Sequence, residues 1–259
     1  MPTRREGRMR VVSRSVMVVV LAAIWTGEAG AQTADEVIEK HLAAVGGRAA
    51  LGKLESRTAT GTVTVSVQGS DLAGPIEIVH KRPNKARTVF TVDLSQFGAD
   101  SMVIEERFDG TMLFTSNSAQ GDRELTGNRL ENMKNATFPT PFLGYKEAGV
   151  KLELVGKETV GGRQAYVLSY TPRTGSASRQ YFDSETHLLL RSVARVELQE
   201  LGGEVENTTD LSDYRDVDGV KVPFVVSILN SQQSVRIAFD KVEHNKPIDD
   251  AIFARPAVK

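Results

Sequence analysis

The side chains best suited to acid–base or metal chemistry are the four histidines, which are scattered along the chain at His41, His80, His187 and His244. No His-x-x-x-His or His-x-x-Glu spacing occurs, so the sequence gives no recognisable metal site. We interpret His41 as a helix residue near the core, His187 as a turn residue and His244 as a surface residue. The sequence therefore predicts no metal, no cofactor and no catalytic histidine.

The segment Gly47-x4-Gly52-Lys53 partly matches a phosphate-binding loop, but the residues around it do not fit that motif. A true loop of this kind follows a buried strand and continues with Ser or Thr, which holds magnesium. Here a helical segment precedes the match and Leu54 follows it. We therefore do not expect nucleotide binding.

The acidic pair Glu105-Glu106 is the remaining candidate for catalysis. Adjacent residues of a strand point to opposite faces, whereas a carboxylate acid–base pair must converge on one bond. We interpret both as solvated strand charges. The sequence also lacks the Gly-x-Ser-x-Gly elbow of α/β-hydrolases. We predict a protein that is not an enzyme.

The first 31 residues have the three parts of a secretory signal peptide. A positive stretch contains Arg4, Arg5, Arg8, Arg10 and Arg14, an apolar run occupies residues 16–25, and Ala29-Gly30-Ala31 forms a small-x-small cleavage site. The apolar run is shorter than the roughly 20 residues that span a bilayer, which disfavours the alternative of an uncleaved anchor. We expect a periplasmic protein that begins at Gln32.

Composition restricts what the mature chain can bind. Removal of five Arg and two Glu with residues 1–31 changes the formal charge from −1 to −4, and no basic stripe for a nucleic acid remains. The chain has no cysteine, so disulfides and thiolate metal sites are absent. Residues 32–259 are long enough to form one sizeable core, and we predict a single domain over that range.

One segment, residues 33–54, has a strong helical pattern. Thr33 and Glu36 have the spacing of a capping box, and Val37, Ile38, His41, Leu42 and Val45 fall on one helical face. Gly46-Gly47 predicts a break, followed by a short second helix.

From residue 57 onward the pattern is that of strands separated by turn signals. We predict strands at residues 62–67, 74–80, 86–94, 102–108, 112–115, 150–159, 163–171, 180–182, 188–198, 204–213, 220–229 and 234–242. Asp109-Gly110 is a type I′ hairpin signal, and Asp218-Gly219 is a further turn signal. Short connections between about eleven or twelve strands predict an antiparallel meander in a sandwich or barrel.

Residues 125–145 interrupt this rhythm. Residues 128–133 are compatible with a short helix, and the apolar run at 138–143 contains Pro139 and Pro141, which exclude a regular central strand. The run must bury its apolar side chains against something, and the concave side of the sheet is the natural place. The alternative, a connection that only plugs the core, has equal weight.

Three segments resemble the LolA-like proteins, which are also called outer membrane lipoprotein-sorting proteins. They are Tyr181-Phe182-Asp183-x-x-Thr186-x-Leu188, the segment Asp213-Tyr214-Arg215-x-Val217-Asp218-Gly219-Val220-Lys221-x-Pro223-Phe224, and Asn245-x-Pro247-Ile248-Asp249-x-x-x-Phe253. The chain departs from the usual pattern at His187, where Gly is common, and at Leu189, where Pro is common. His tolerates positive φ, so we expect the turn to survive.

The resemblance implies a mainly β (α+β) fold: a half-open antiparallel β-barrel of about eleven strands, with an N-terminal helix and a short helical, apolar lid insertion. It also implies that a lipid or acyl chain binds in the apolar concave face. For a lipid binder of this kind we expect the cavity to be lined by Ile76, Ile78, Phe90, Val92, Ile104, Phe108, Tyr166 and Leu168, and to be lidded by Phe138, Phe142 and Leu143.

Two main functions stay open at this point. The first is a periplasmic, non-catalytic binder or carrier of a lipid or a lipoprotein acyl group, which acts as a transport protein or chaperone. The second is a sensor or interaction module that binds an envelope protein at the rim of the sheet, where strand edges are unpaired. An enzyme with a site that matches no motif is the least favoured alternative.

Overall fold

The structure is a computed structural model that describes residues 32–67, 69–198 and 203–255, together with Met1 and Thr3. Apart from Met1 and Thr3, the predicted signal peptide at residues 1–31 lies outside the described residues and stays a prediction. Within the described part of the chain, no helix is both long enough and apolar enough to cross a membrane.

The helices follow the sequence pattern closely. They are α1 Ala34–Ala44, α2 Gly47–Gly52 and α3 Gly127–Asn135, with 3₁₀ helices at Ser95–Phe97 and Asp250–Phe253. The predicted capping box opens α1, since Glu36 N–H donates to Thr33 Oγ1 over 3.2 Å and Thr33 N–H donates to Glu36 Oε2 over 3.1 Å. Gly46 and Gly47, at φ of 128° and 86°, end α1 as predicted.

Thirteen strands of the described residues form one antiparallel sheet. They are β1 Ser56–Val67, β2 Ser70–Lys81, β3 Lys85–Val92, β4 Met102–Phe108, β5 Leu113–Asn117, β6 Gly121–Leu125, β7 Lys151–Val160, β8 Arg163–Thr171, β9 Ser178–Asp183, β10 Leu189–Leu198, β11 Gly203–Val217, β12 Val220–Leu229 and β13 Ser234–His244. Their order is β6-β5-β4-β3-β2-β1-β13-β12-β11-β10-β9-β8-β7, so β6 and β7 form the two edges and the sheet stays open. The predicted half-open antiparallel fold is confirmed.

The strand that sequence analysis missed is β6. Its residues, Gly-Asp-Arg-Glu-Leu, include only one large apolar side chain, Leu125, so they show no apolar alternation. The strand pairs on one side only, with β5. Charged residues are typical of such edge strands, because they discourage pairing with other chains.

The two halves of the sheet meet where β1 pairs with β13. This seam runs from Arg57 opposite His244 to Ser66 opposite Ser234, and one extra residue of β13 forms a bulge opposite Thr60 and Gly61. A Cβ atom at position 61 would lie only 2.0 Å from the carbonyl oxygen of Ala238. Glycine is therefore required there for the two backbones to approach each other.

The main core lies on one side of the sheet, which we call the helix face because α1 packs on it. Val37, Ile38 and Leu42 of α1 are buried in one cluster with sheet residues such as Leu168 and Phe182. The opposite face is covered near β3 and β4 by the 3₁₀ helix Asp250–Phe253, whose last residue is completely buried.

Two of the predicted turns have the expected backbone. His187 has a φ of 58°, which confirms that histidine takes the left-handed position where related hairpins carry Gly. Asp218 and Gly219 have φ values of 54° and 78°, and both central residues of a type I′ turn require positive φ.

The type I′ prediction for Asp109-Gly110 is wrong, because only Gly110 has a positive φ. The carboxylate of Asp109 accepts hydrogen bonds from the backbone N–H groups of Thr111 (2.7 Å) and Met112 (2.8 Å). These side-chain bonds hold a different turn.

We expect Gly61→Ala to lower the free energy of unfolding by about 3 kcal/mol, because the added Cβ clashes with backbone atoms that no side-chain rotation can move. Urea unfolding measures this loss. Gly52→Ala is the matched control, since its Cβ would meet no atom within 4 Å and the residue ends a helix. Equal stability of the two variants would contradict the role assigned to Gly61.

Candidate functional site

A cleft of about 560 Å³ lies on the helix face. Its floor comes from strands β8 to β12, and its roof from α3 and the lid segment, which we define as residues 136–145. The walls include Val45 and Leu51 from the helices, Phe142 from the lid segment, and Leu189 and Leu211 from the sheet. Such a volume and lining are typical of a site for a small apolar or amphiphilic ligand.

The lid segment has no strand partner, and it is held by hydrogen bonds from its surroundings. Phe138 N–H donates to the carbonyl of Pro83 over 2.8 Å, and the Arg48 guanidinium donates to the carbonyl of Leu143 over 2.9 Å. These bonds satisfy backbone groups at two points of the segment.

Phe142 packs the lid segment onto the core. Its ring lies edge-on to His41 of α1 (centroid distance 5.5 Å), to Phe182 of β9 (5.4 Å) and to Tyr170 of β8 (6.0 Å). Aromatic pairs at these distances and angles add to the free energy of burial. One side chain therefore joins the lid segment, α1 and the sheet.

Helix α3 forms the second part of the roof and connects the two halves of the sheet. Leu130 and Met133 pack against a buried cluster of the first half that contains Phe108. Asn132 accepts a hydrogen bond of 2.7 Å from the backbone N–H of Ser176, in the β8–β9 loop of the second half. The helix thus lies across the helix face.

A row of polar side chains crosses the floor of the cleft. Gln180 on β9, Ser192 on β10 and Thr209 on β11 are register neighbours, and all three line the cleft. Gln180 Nε2 donates to Ser192 Oγ over 3.0 Å and to Ser178 Oγ over 2.8 Å. The cleft is therefore amphiphilic, with polar groups among apolar walls.

His41 lies buried at the cleft and is held in one tautomer. Burial lowers its pKa to about 4, so the ring is neutral at pH 7. Because Nδ1 lies 2.9 Å from the carbonyl oxygen of His187, Nδ1 carries the proton and donates it. The prediction that His41 is a helix residue near the core is confirmed.

Arg57 is a deeply placed cation in the wall of the cleft. Its Nε donates to Nε2 of His244 over 3.0 Å, and its guanidinium lies 5.4 Å from the centroid of the Phe138 ring. Burial lowers the pKa of Arg57 to about 10, which leaves it charged at pH 7. The ring of His80 stacks on the same Phe138 at 6.1 Å, and burial lowers its pKa to about 4.

The prediction that His244 is a surface residue is wrong. The residue is only 7% exposed, because it ends β13 beside β1 and accepts the hydrogen bond from Arg57. A histidine close to the end of a chain gives no sequence signal for such a cross-strand partner.

The prediction that Glu105 and Glu106 are solvated is also wrong, although they do point to opposite faces. Glu105 accepts hydrogen bonds from Arg87 (2.6 Å) and Arg107 (3.0 Å), and its side chain is 16% exposed. Burial raises the pKa of Glu105, but these two hydrogen bonds outweigh that effect and hold it below the usual value. Glu106 pairs with Arg129 of α3 instead.

The structure divides the eleven predicted site residues among several places. Phe142 lines the cleft, while Phe138 and Leu143 line an adjoining cavity of about 470 Å³ on the other side of the lid segment. Leu168 and Tyr166 belong to the core cluster beneath α1 and do not line the cleft.

The remaining six residues lie on the helix face of the first half of the sheet. The strand register places all of them on the same side as Ala59, which belongs to the main core. Ile76, Ile78 and Phe90 pack in a central cluster with Val63 and Ile237. Phe108 packs under α3. Val92 and Ile104 share this face, and none of the six lines the cleft.

The lining residues that sequence analysis missed include apolar ones, such as Leu189 and Leu211, and a polar group formed by Arg57, Gln180, Ser192 and Thr209. The polar group has a common reason for being missed. In an alternating strand, a polar position is normally read as the solvent side. Because these residues occupy inward positions, their polarity hid them. A signal was available in the apolar residues two positions away on the same strand, which point to the same face. Ala59, two residues after Arg57, is an example.

Comparisons with known proteins match this architecture. A family model described as "Uncharacterized protein" matches residues 145–259, and no curated protein matches. A LolA superfamily protein from Nitrosomonas europaea superposes with a TM-score of 0.55 at 14% identity, over 87% of this chain and 99% of that one. The chain has a LolA-like fold.

Two further solved structures share this fold. A putative outer membrane lipoprotein-sorting protein domain from Vibrio parahaemolyticus gives a TM-score of 0.53 at 10% identity, over 85% of this chain and 95% of that one. A DUF1329 family protein from Desulfovibrio piger gives 0.58 at 14% identity, over 86% and 98%. The resemblance seen in the turn motifs is confirmed at the level of fold.

The polar side chains that line the cleft are hydroxyls, amides, one imidazole and two cations. None of the described residues that line it is Asp or Glu, and His41 donates to a backbone carbonyl. A Ser-His-Asp arrangement needs a carboxylate in that position. Within the described residues, no cluster of three or more His, Cys, Asp or Glu is suited to a metal ion.

The two neutral histidines predict acid sensitivity. His41 and His80 have folded pKa values of about 4, below the usual 6.5, so the unfolded chain binds more protons between these values. Stability should fall as pH drops from 6.5 towards 4, by up to about 1.4 kcal/mol per pH unit for each histidine. Urea unfolding at pH 7, 6 and 5 measures the slope.

His41→Asn keeps a donor towards the His187 carbonyl but cannot titrate. We expect it to reduce the slope between pH 6.5 and 5 by about 1 kcal/mol per pH unit, somewhat below the limit for a full proton. An unchanged slope would show that His41 does not contribute to acid sensitivity.

Proposed function

We propose that this protein is a periplasmic, non-catalytic binder and carrier of a lipid or of the acyl group of a lipoprotein. The observation that carries the proposal is the lidded, amphiphilic cleft on the helix face, whose described lining contains no carboxylate. The signal-peptide pattern of residues 1–31 supports the location. The names of two proteins with the same fold, a LolA superfamily protein and a putative outer membrane lipoprotein-sorting protein domain, support the ligand class.

The cavities have a suitable size for an acyl chain. The cleft and the adjoining cavity share Asn135, Thr140, Pro141 and Tyr170, so they lie on the two sides of the lid segment. A movement of this segment would join them. Burial of about 300 Å² of apolar ligand surface supplies roughly 7 kcal/mol before ordering costs.

We further propose that the predicted residues of the first sheet half extend the site. Ile78 and Phe90 are only partly buried, and they pack in the central cluster beside Val65, Val226 and Val235. A long acyl chain that leaves the cleft would contact this apolar row. Phe138 and Leu143 would act through the lid segment.

A protein-binding role at the rim is the second candidate, because the edge strands β6 and β7 each have one unpaired side in the described sheet. Val155 of β7 is 54% exposed there. A register shift between Leu154 and Gly156, however, makes this edge a poor template for a further strand. The cleft therefore has the stronger claim.

Native mass spectrometry and solvent extraction of protein purified from the periplasm test the proposal. We expect a lipid or an acylated peptide to travel with the protein. A stoichiometric protein partner without lipid would favour the second candidate instead.

A pair of neighbouring threonines gives a matched test of the cleft. Thr209 lines the cleft, whereas Thr208 lies on the opposite face of the same strand. We expect Thr209→Trp to weaken binding of a fluorescent fatty acid by about tenfold or more, because the indole fills the cleft. Thr208→Trp should leave the affinity unchanged, and equal losses in both variants would contradict the proposed site.

A further inference from the structure

Arg57 is a part-buried cation of the cleft, and it has no anionic partner among the described residues. No described carboxylate forms an ion pair with it, and its only hydrogen bond to a described residue uses Nε. Its two terminal nitrogens make no hydrogen bond to any described residue, although the side chain lines the cleft. Its pKa is lowered by burial alone, which agrees with the absence of a nearby carboxylate.

The immediate neighbours of Arg57 cannot neutralise it. His244 accepts a hydrogen bond from Nε of Arg57 and is neutral in this arrangement. The Asp218 carboxylate lies 3.5 Å from Nδ1 of His244, so it contacts the imidazole and not the guanidinium. The third neighbour, Phe138, contacts the guanidinium with the face of its ring, which carries no net charge. A part-buried charge with only these contacts is costly, and such charges are typical of functional sites.

We infer that Arg57 binds the anionic head of an amphiphilic ligand, a carboxylate or a phosphate, whose acyl chain occupies the cleft. Guanidinium groups suit this task because their planar pairs of N–H groups match carboxylate and phosphate oxygens in two parallel hydrogen bonds. The polar row of Gln180, Ser192 and Thr209 would contact the uncharged polar part of the same head. This inference rests on the proposed function, and it adds the charge of the ligand.

The test uses three ligands with the same 16-carbon chain: palmitate, palmitoyl lysophosphatidic acid and the uncharged monopalmitin. Each displaces a fluorescent fatty acid from the delipidated full-length mature protein. We expect at least one of the two anionic ligands to bind about ten- to hundredfold more tightly than monopalmitin, the range for hydrogen bonds to a charged group. Which anion binds tightly identifies the head as carboxylate or phosphate.

Two variants distinguish a specific role of Arg57 from a general effect of positive charge on ligand affinity. Arg57→Gln should remove the preference for the anion and leave the affinity for monopalmitin unchanged. Lys241→Gln is the matched control and should change none of the affinities, because Lys241 is an exposed cation of the same β1–β13 seam that does not line the cleft. Circular dichroism checks that both variants fold.

Each outcome has a distinct meaning. Equal affinities of the wild type for all three ligands would overturn the inference even if Arg57→Gln does not fold, while the proposed function would stand. Loss of monopalmitin binding together with the anions in folded Arg57→Gln would show that Arg57 acts only on the lid segment, and would also overturn it. Failure of every ligand to bind the wild type would contradict the proposed function itself.

Discussion

The packing of Phe142 between α1 and the sheet is the contact on which the cleft depends. Pro139 and Pro141 prevent the lid segment from joining the sheet, so side-chain packing and a few hydrogen bonds must hold it. The rings of His41, Phe182 and Tyr170 supply that packing. A segment held in this way can open at a smaller free-energy cost than a strand, because no ladder of backbone hydrogen bonds has to break.

Burial also determines which side chains at and near the cleft carry a charge. Low-dielectric surroundings keep His41 and His80 neutral, while Arg57 stays charged because guanidinium loses its proton only at very high pH. A lining with a part-buried cation, a neutral imidazole and hydroxyl groups differs from a uniformly apolar pocket. Such a lining would distinguish the two ends of the proposed amphiphilic ligand and so set the direction in which it enters.

The fold was largely predictable from sequence, and the site was only partly so. Capping signals such as Thr33 and Glu36, and turn residues such as Asp218-Gly219, act locally, so they can be read from a few neighbouring residues. The position of Arg57 depends on pairing with His244, which lies 187 residues away. The charged strand β6 and the polar row on the floor of the cleft escaped prediction for a related reason. Strand patterns reveal apolar faces, and they do not reveal the polar residues that interrupt those faces.

The seam between β1 and β13 has a consequence for folding. Each half of the sheet is a meander of neighbouring strands, whereas the seam joins residues as distant as Arg57 and His244. Long-range pairing is slow because loop closure must precede it, so we expect the two meanders to form first and the seam last. Arg57 reaches its partner only at that step. On this folding order the proposed ligand site is completed last, so an incompletely folded chain would have no finished site for the proposed ligand.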